Sequence, residues 1–172
     1  MNKEIKDSFV HPVLGIFARS KMTNPMGRTF FDLQKIGQTQ IAGLGLAFDE
    51  FNIFLSENPE PPNDMLADLV SIVLWPRSRI KEIERRLLSH YDQLRAEYLS
   101  AHAEDDLDVE KIARRLPEIE QCHEVWRLVN RPRGINGGTW PHASISFDCT
   151  FDIEHQWHVA FSDNQVYEVW VE

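Results

Sequence analysis

The sequence predicts an α+β fold in which an antiparallel sheet packs against two or three central helices. The first third of the chain resembles short strands separated by turns, the middle third has helical periodicity, and the last third alternates between apolar and polar residues. Strands followed by helices and again by strands are typical of α+β proteins rather than of a doubly wound parallel sheet. We expect N-terminal hairpin strands over 1–56, a helical middle over 63–120 and a C-terminal meander over 125–172, all within one domain.

The N-terminal segment is expected to begin with a hairpin. Residues 13–20 are short and largely apolar, and a turn cluster containing Asn-Pro and Gly separates them from a return strand over 28–36. Two further strands, over 39–46 and 48–55, continue the β-rich pattern.

Glycines and prolines mark several boundaries along this part of the chain. Gly43 and Gly45 interrupt a strand pattern, which indicates a bulge or a close approach of two backbone segments. Residues 57–63 contain three prolines in four positions and are expected to form a loop. Pro76 is expected to end one helix and to suit the first turn of the next.

Two amphipathic helices are predicted after the proline-rich loop. Asn63 or Asp64 can cap the first, and an acidic loop over 101–110 follows the second and leads into a short helix or turn over 109–116. Each helix carries its apolar residues on one face, which predicts burial against the sheet. The apolar positions are Met65, Leu66, Leu69, Val70, Val73 and Leu74 in the first helix and Ile80, Ile83, Leu87, Tyr91, Leu94 and Tyr98 in the second.

The last third of the chain is expected to be a meander of strands. A short strand over 125–129 precedes a turn-rich connection over 131–138, which contains Pro and three Gly. Residues 144–154 alternate between apolar and polar types without interruption, as in a half-buried strand. A further apolar face over 157–161 and a terminal strand over 166–171 complete the meander.

Length and composition restrict the function classes. The chain has 172 residues, and its 18 Lys and Arg against 27 Asp and Glu give a formal net charge of −9, which argues against nucleic acid as the main partner. The polar start and the lack of a long apolar segment indicate a cytoplasmic protein without a membrane span. Cys122 and Cys149 are expected to be free thiols in that compartment.

No sequence motif identifies a catalytic or metal site. The GxSxG, P-loop and GxGxxG motifs are missing, and so are HExxH and CxxC. His155 and His158 would point to opposite faces of a strand. We therefore expect no metal, no cofactor and no catalysis. The alternative is a small enzyme whose site is assembled from dispersed residues such as Cys149, Asp152 and His155.

The distribution of charge along the chain suggests a surface for a basic partner. Residues 49–75 and 141–172 each have a net charge of −6 and contain no Lys or Arg. Such segments should project negative potential, which attracts cationic proteins, although ordinary solubility also explains an acidic surface. The candidate partner-binding residues are Asp49, Glu50, Glu57, Glu60, Asp105, Asp106 and Asp108.

Part of the sequence resembles a group of bacterial domains. The run from Ser146 to His155, followed by apolar residues and the turn Ser162-Asp163-Asn164, is similar to the C-terminal pattern of uncharacterised bacterial domains, several of which are immunity proteins of polymorphic and contact-dependent toxin systems. The matching structural positions are Phe151, Asp152, Glu154 and His155. The resemblance implies an α+β domain that neutralises a toxin by binding it.

These observations lead to one main hypothesis and two alternatives. The main hypothesis is an acidic, cytoplasmic immunity protein that occludes a cationic toxin, for example a nuclease, through acidic side chains and aromatic anchors. The alternatives are the dispersed-site enzyme and a self-associating structural protein that pairs through its terminal strand over 165–172. We expect a monomer or a weak homodimer.

Overall fold

The protein is built on one eight-stranded sheet with the strand order β1-β2-β3-β6-β7-β8-β9-β10 and a separate two-stranded hairpin, β4-β5. The computed structural model describes residues 7–101, 111, 114–138, 143–151 and 154–171. The strands are β1 (Asp7–His11), β2 (Gly15–Thr23), β3 (Thr29–Lys35), β4 (Thr39–Ile41), β5 (Leu46–Phe48), β6 (Glu50–Ser56), β7 (Val129–Gly137), β8 (Ala143–Cys149), β9 (Gln156–Ser162) and β10 (Gln165–Val171).

The large sheet consists of two antiparallel meanders joined in the middle by one parallel pair. Strands β1, β2, β3 and β6 form the first meander, and β7 to β10 form the second. β6 pairs with β7 in parallel, from Glu50 beside Gly134 to Ile53 beside Gly137. The predicted α+β class, with N-terminal hairpins and a C-terminal meander, is confirmed, and the parallel pair is an addition to it.

Two α-helices lie in the crossover between β6 and β7. The helix α1 (Asn63–Val73) contacts β8 and β9, and α2 (Ile80–Ala101) contacts β10. A short 3₁₀ helix (Arg77–Arg79) follows Pro76, so Pro76 separates the two helices as predicted. The helices and the β4-β5 hairpin cover one face of the sheet with a core that includes Trp75, Tyr91, Phe147 and Trp157.

The largest error of the sequence prediction concerns residues 131–138, which form most of β7 rather than a turn. Pro132 lies at a bulge in the pairing with β8, where the missing N–H costs no regular ladder bond. Gly137 faces α1, and a Cβ there would lie 3.0 Å from Leu69 Cδ1 and 3.3 Å from Ile53 Cγ2. The residues that resemble turn formers are therefore needed for a bulge and for close packing inside the sheet.

Other predicted elements differ in their limits. The predicted strand over 125–129 is mostly a 3₁₀ helix (Cys122–Arg127), and β1 was not predicted. Pro62, rather than Asn63 or Asp64, occupies the N-cap of α1 and makes no side-chain cap bond. Leu74 is exposed because α1 ends at Val73, and β8 ends at Cys149 rather than at 154. The predicted short helix over 109–116 lies mostly outside the described residues.

Gly43 allows the β4-β5 turn to touch the backbone at the end of α1. A Cβ at position 43 would lie 1.7 Å from the carbonyl oxygen of Trp75, so any side chain would force the two segments apart. The Trp75 ring packs edge-on against Phe161 at 5.1 Å, and the Arg79 guanidinium lies over its face at 4.2 Å. The sequence expectation of a close backbone approach near Gly43 and Gly45 therefore holds at Gly43.

We expect Gly43→Ala to destabilise the fold by more than about 2 kcal/mol, because the hindering atoms are backbone and cannot rotate away. Gly27→Ala is the control: φ at Gly27 is +79° and no atom lies within 4 Å of the added Cβ, so only the left-handed backbone strain of about 1 kcal/mol applies. Urea unfolding of both variants measures the difference. Equal losses of unfolding free energy in the two variants would contradict the close approach of Gly43 to the Trp75 backbone.

His90 on α2 makes stability depend on pH. Its ring is half-buried and lies nearly perpendicular to Trp157, with the centroids 5.2 Å apart. Burial lowers the pKa of His90, and Glu97 opposes this effect. The unfolded chain therefore takes up the proton first, near pH 6.5, and the contribution of neutral His90 to the free energy of unfolding is lost as the pH falls below that value.

We expect His90→Gln to weaken the loss of stability between pH 7.5 and about pH 5, because glutamine cannot take up the proton. Urea unfolding at both pH values gives the change in the free energy of unfolding. His123→Gln, at an exposed position on the 3₁₀ helix, is the control. If the free energy of unfolding of His90→Gln depended on pH as in the wild type, His90 would have the same pKa in the folded and unfolded chains.

Candidate functional site

One face of the large sheet is not covered by any helix or strand that the structure describes. Side chains alternate along each strand, so in β6 the residues Phe51, Ile53 and Leu55 are buried under the helices while Phe54 points to the other side and is 50% exposed. Strand partners in register share a face, and this extends the assignment across all eight strands. We call this side the open face.

A row of five side-chain positions crosses the middle of the open face. The strand registers place Glu50 beside Gly134, then Ser146, His158 and Trp170, on the five adjacent strands β6 to β10. Strands are about 4.8 Å apart, so the row extends over roughly 19 Å.

The row lies in a concavity of about 430 Å³ that we call the central trough. Small side chains form its floor, where Ser144 and Ser146 are only 4% and 2% exposed. Its walls include Glu50, Phe54, Arg133, Asn136, His158 and Trp170.

Hydrogen bonds position the polar groups of the trough floor. Ser146 Oγ donates to the carbonyl oxygen of Gly134 at 3.3 Å and accepts from Asn136 Nδ2 at 3.4 Å. The bulge in β7 between Pro132 and Gly134 lies next to this network. The floor therefore combines oriented hydroxyl and amide groups with a local irregularity of the sheet, as is common in binding sites.

Aromatic rings flank the trough on both sides. The indole of Trp170, on the edge strand β10, stacks on the imidazole of His158 with centroids 4.8 Å apart and planes 16° apart. His158 is 7% exposed, so the stack holds the indole at the border of the concavity. Phe54 forms the opposite side and is half exposed.

Acidic groups predominate on strands β8 to β10 of the open face. These strands contain no Lys or Arg, whereas Asp148 and Glu168 lie on their open side. Next to them, Glu50 Oε1 lies 3.5 Å from Arg133 Nη2, and both side chains are nearly half exposed. A pair this exposed is weak.

The N-terminal half of the open face carries exposed apolar side chains among polar ones such as Ser20, Asp32 and Gln34. Val10 is paired with Ile16, and Met22 with Phe30, on strands β1 to β3. Val10 is 65% exposed, Ile16 49% and Met22 37%. Together with Phe54 they form what we call the apolar patch, and exposed apolar groups concentrated on one face are typical of interaction surfaces.

The predicted partner-binding acids do not form one surface. Of the four that the structure describes, only Glu50 lies on the open face. Asp49 accepts a hydrogen bond from Gln38 Nε2 at 2.7 Å, Glu57 lies beyond the other end of β6 with φ of +65°, and Glu60 pairs with Arg19 at 2.8 Å. Asp105, Asp106 and Asp108 lie outside the described residues.

The C-terminal motif residues lie on the helix side of the fold. Phe151 contacts the rings of Tyr91 and Trp157 at 5.8 and 5.6 Å. Phe151, Glu154 and His155 line a second concavity of about 270 Å³ between the end of β8 and α2. Asp152 is outside the described residues. Phe151 therefore packs the end of β8 against α2 and β9.

The residues considered for catalysis are in different environments. Cys149 is 3% exposed and belongs to the core, whereas His155 is exposed. A buried thiol of this kind packs as a small hydrophobe. Within the described ranges, no group of three or more His, Cys, Asp or Glu is arranged to hold a metal ion. In the same part of the chain, the helices are too short or too polar to cross a membrane.

The comparisons with known proteins give no relative. No family model matches the chain, and no curated protein or solved structure matches it. The candidate site therefore rests on geometry and chemistry.

The weak pairing of Glu50 with Arg133 can be tested directly. We expect Glu50→Gln to change the free energy of unfolding by less than about 1 kcal/mol, because both side chains are nearly half exposed. Urea unfolding measures the change, and Asp49→Asn, at the neighbouring position outside the pair, is the control. A loss above about 2 kcal/mol would mean that Glu50 is needed for folding and is not simply a surface acid.

Proposed function

We propose that the protein is a non-enzymatic binding protein that recognises a basic protein through the open face of its sheet. The observation that carries this proposal is the combination on one face of an apolar patch and of acids on strands β8 to β10. An interface of this composition has an apolar area for affinity and a charged area for steering and orientation.

The apolar patch supports a protein rather than a small molecule as the partner. Its exposed side chains are spread over β1, β2 and β6, across several strand spacings. A small ligand cannot cover such a width, but a typical protein interface of about 800 Å² per partner can.

The acidic half supports a basic partner. No Lys or Arg lies in residues 141–172, and the nearby Arg133 is paired with Glu50. Like charges facing one another across an interface are unfavourable, so an acidic partner would be disfavoured here. A basic protein would be attracted at low ionic strength and would bind more weakly as salt screens the charges.

The type of partner that we propose is a toxin. The similarity of the run from Ser146 to His155 to domains among bacterial immunity proteins favours neutralisation by binding. A toxin that acts on nucleic acid exposes Lys and Arg for phosphate contacts, and an acidic face would occlude those residues. We place this activity in the cytoplasm, where a nuclease toxin would meet nucleic acid.

We expect the double variant Phe54→Asp/Glu168→Lys to weaken the complex with the cognate toxin by at least about 100-fold, because one change disrupts the apolar contact and the other reverses a charge. Co-expression with the product of the adjacent toxin gene, co-purification, and titration calorimetry measure binding. Survival of the expressing cells measures protection.

Glu118→Lys provides the matched control, since it reverses an exposed charge beside Pro117, whose carbonyl oxygen accepts a hydrogen bond from Tyr91 on the helix side. It should bind and protect like the wild type. Absence of a complex between the wild-type protein and any neighbour-encoded toxin, or equal binding by the double variant and the wild type, would contradict the proposal.

A further inference from the structure

We propose that the central trough is a pocket for an arginine side chain of the partner. This inference rests on the proposed function and makes it more specific, because it names the group that anchors the partner. The pocket combines a carboxylate with hydroxyl and amide oxygens, which suit a guanidinium group, and an indole at its other end, which suits the apolar stem of arginine.

The dimensions of the trough suit a long side chain. A concavity of about 430 Å³ that is accessible to solvent has room for a guanidinium and its stem. Gly134 is important because a Cβ there would lie 3.4 Å from both Ser146 Oγ and Glu50 Cβ. A larger residue would fill the space between the carboxylate and the hydroxyl.

The acceptors in the trough lie on neighbouring strands. Glu50 is next to Gly134 in the parallel pair, and Gly134 is next to Ser146 in the antiparallel pair. Asn136 directs its Nδ2 towards Ser146 Oγ, so its Oδ1 is available on the same wall as an acceptor. A guanidinium has five N–H donors in one plane and can use such acceptors together.

The indole of Trp170 provides an apolar wall at the end of the trough that lies opposite Glu50. Its ring is held by His158 at 4.8 Å in a nearly parallel arrangement. With the guanidinium at Glu50, the apolar stem of the arginine extends towards this wall and packs against it.

Arg133 is the one cation that competes for Glu50 among the residues lining the trough. Its Nη2 is 3.5 Å from Glu50 Oε1, which is long for a charge-assisted hydrogen bond, and both side chains are nearly half exposed. An incoming guanidinium that is partly desolvated in the trough forms a stronger pair with Glu50. Asp148 and Glu168, on the same half of the face, add to the attraction.

The test uses N-acetyl-arginine amide as the probe and observes the tryptophan indole N–H signals by NMR. Trp170→Phe assigns the Trp170 signal among those of the five tryptophans. We expect a saturable shift of the Trp170 signal at millimolar probe, and a smaller effect from N-acetyl-lysine amide, which lacks the planar fork. Glu50→Gln should weaken arginine binding at least about fivefold, whereas Glu118→Gln should leave it unchanged.

Three results would overturn the arginine pocket. They are a shift that stays linear with probe concentration, equal responses to the arginine and lysine probes, and equal binding by Glu50→Gln and the wild type. The arginine pocket and the proposed function can be tested separately. A toxin complex that is insensitive to Glu50→Gln would contradict the arginine pocket and still support the proposed function. Saturable arginine binding without any toxin complex would support the pocket and contradict the proposed function.

Discussion

The parallel pairing of β6 with β7 is the constraint on which the rest of the structure depends. It joins two antiparallel meanders into one eight-stranded sheet through only four residue pairs, from Glu50 to Ile53. Parallel neighbours require a long crossover, and this crossover contains both α1 and α2. Since a crossover covers one face of a sheet, the described helices lie on the same side, and the open face results from the topology.

Close packing on the helix side depends on residues without side chains at two contacts. Gly43 admits the Trp75 carbonyl, and Gly137 admits Leu69 of α1. On the open side, Gly134 lies in register between Glu50 and Ser146, two residues that line the central trough, and a Cβ there would contact both at 3.4 Å. Gly134 and Gly137 belong to the same strand, β7. One short run of sequence therefore affects both the approach of α1 and the packing beside the trough.

The sequence predicts the fold better than the site, for reasons that particular residues make clear. Periodicity is local, so the buried positions Ile83, Leu87 and Tyr91 of α2 and the alternation in β8 are visible from sequence alone. Strand order is not local: no pattern shows that β6 pairs with β7. Pro132 and the glycines near it resemble a turn until the neighbouring strands explain them. The acids were predicted from charge per segment, which does not reveal that Glu50 and Asp49 lie in different surroundings.

The structure shows on which face of the sheet the acidic segments lie. On α2 the exposed bases Lys81, Arg85 and Arg86 are balanced by acids of the same helix, such as the exposed Asp92 and Glu97, whereas strands β8 to β10 have no Lys or Arg. An uncompensated excess of acids on one part of a surface orients a basic partner before contact, because the long-range field attracts the partner to that part. Net charge alone would only bring the partner near. The acids Asp148 and Glu168 on the open face therefore favour orientations in which the partner meets this face.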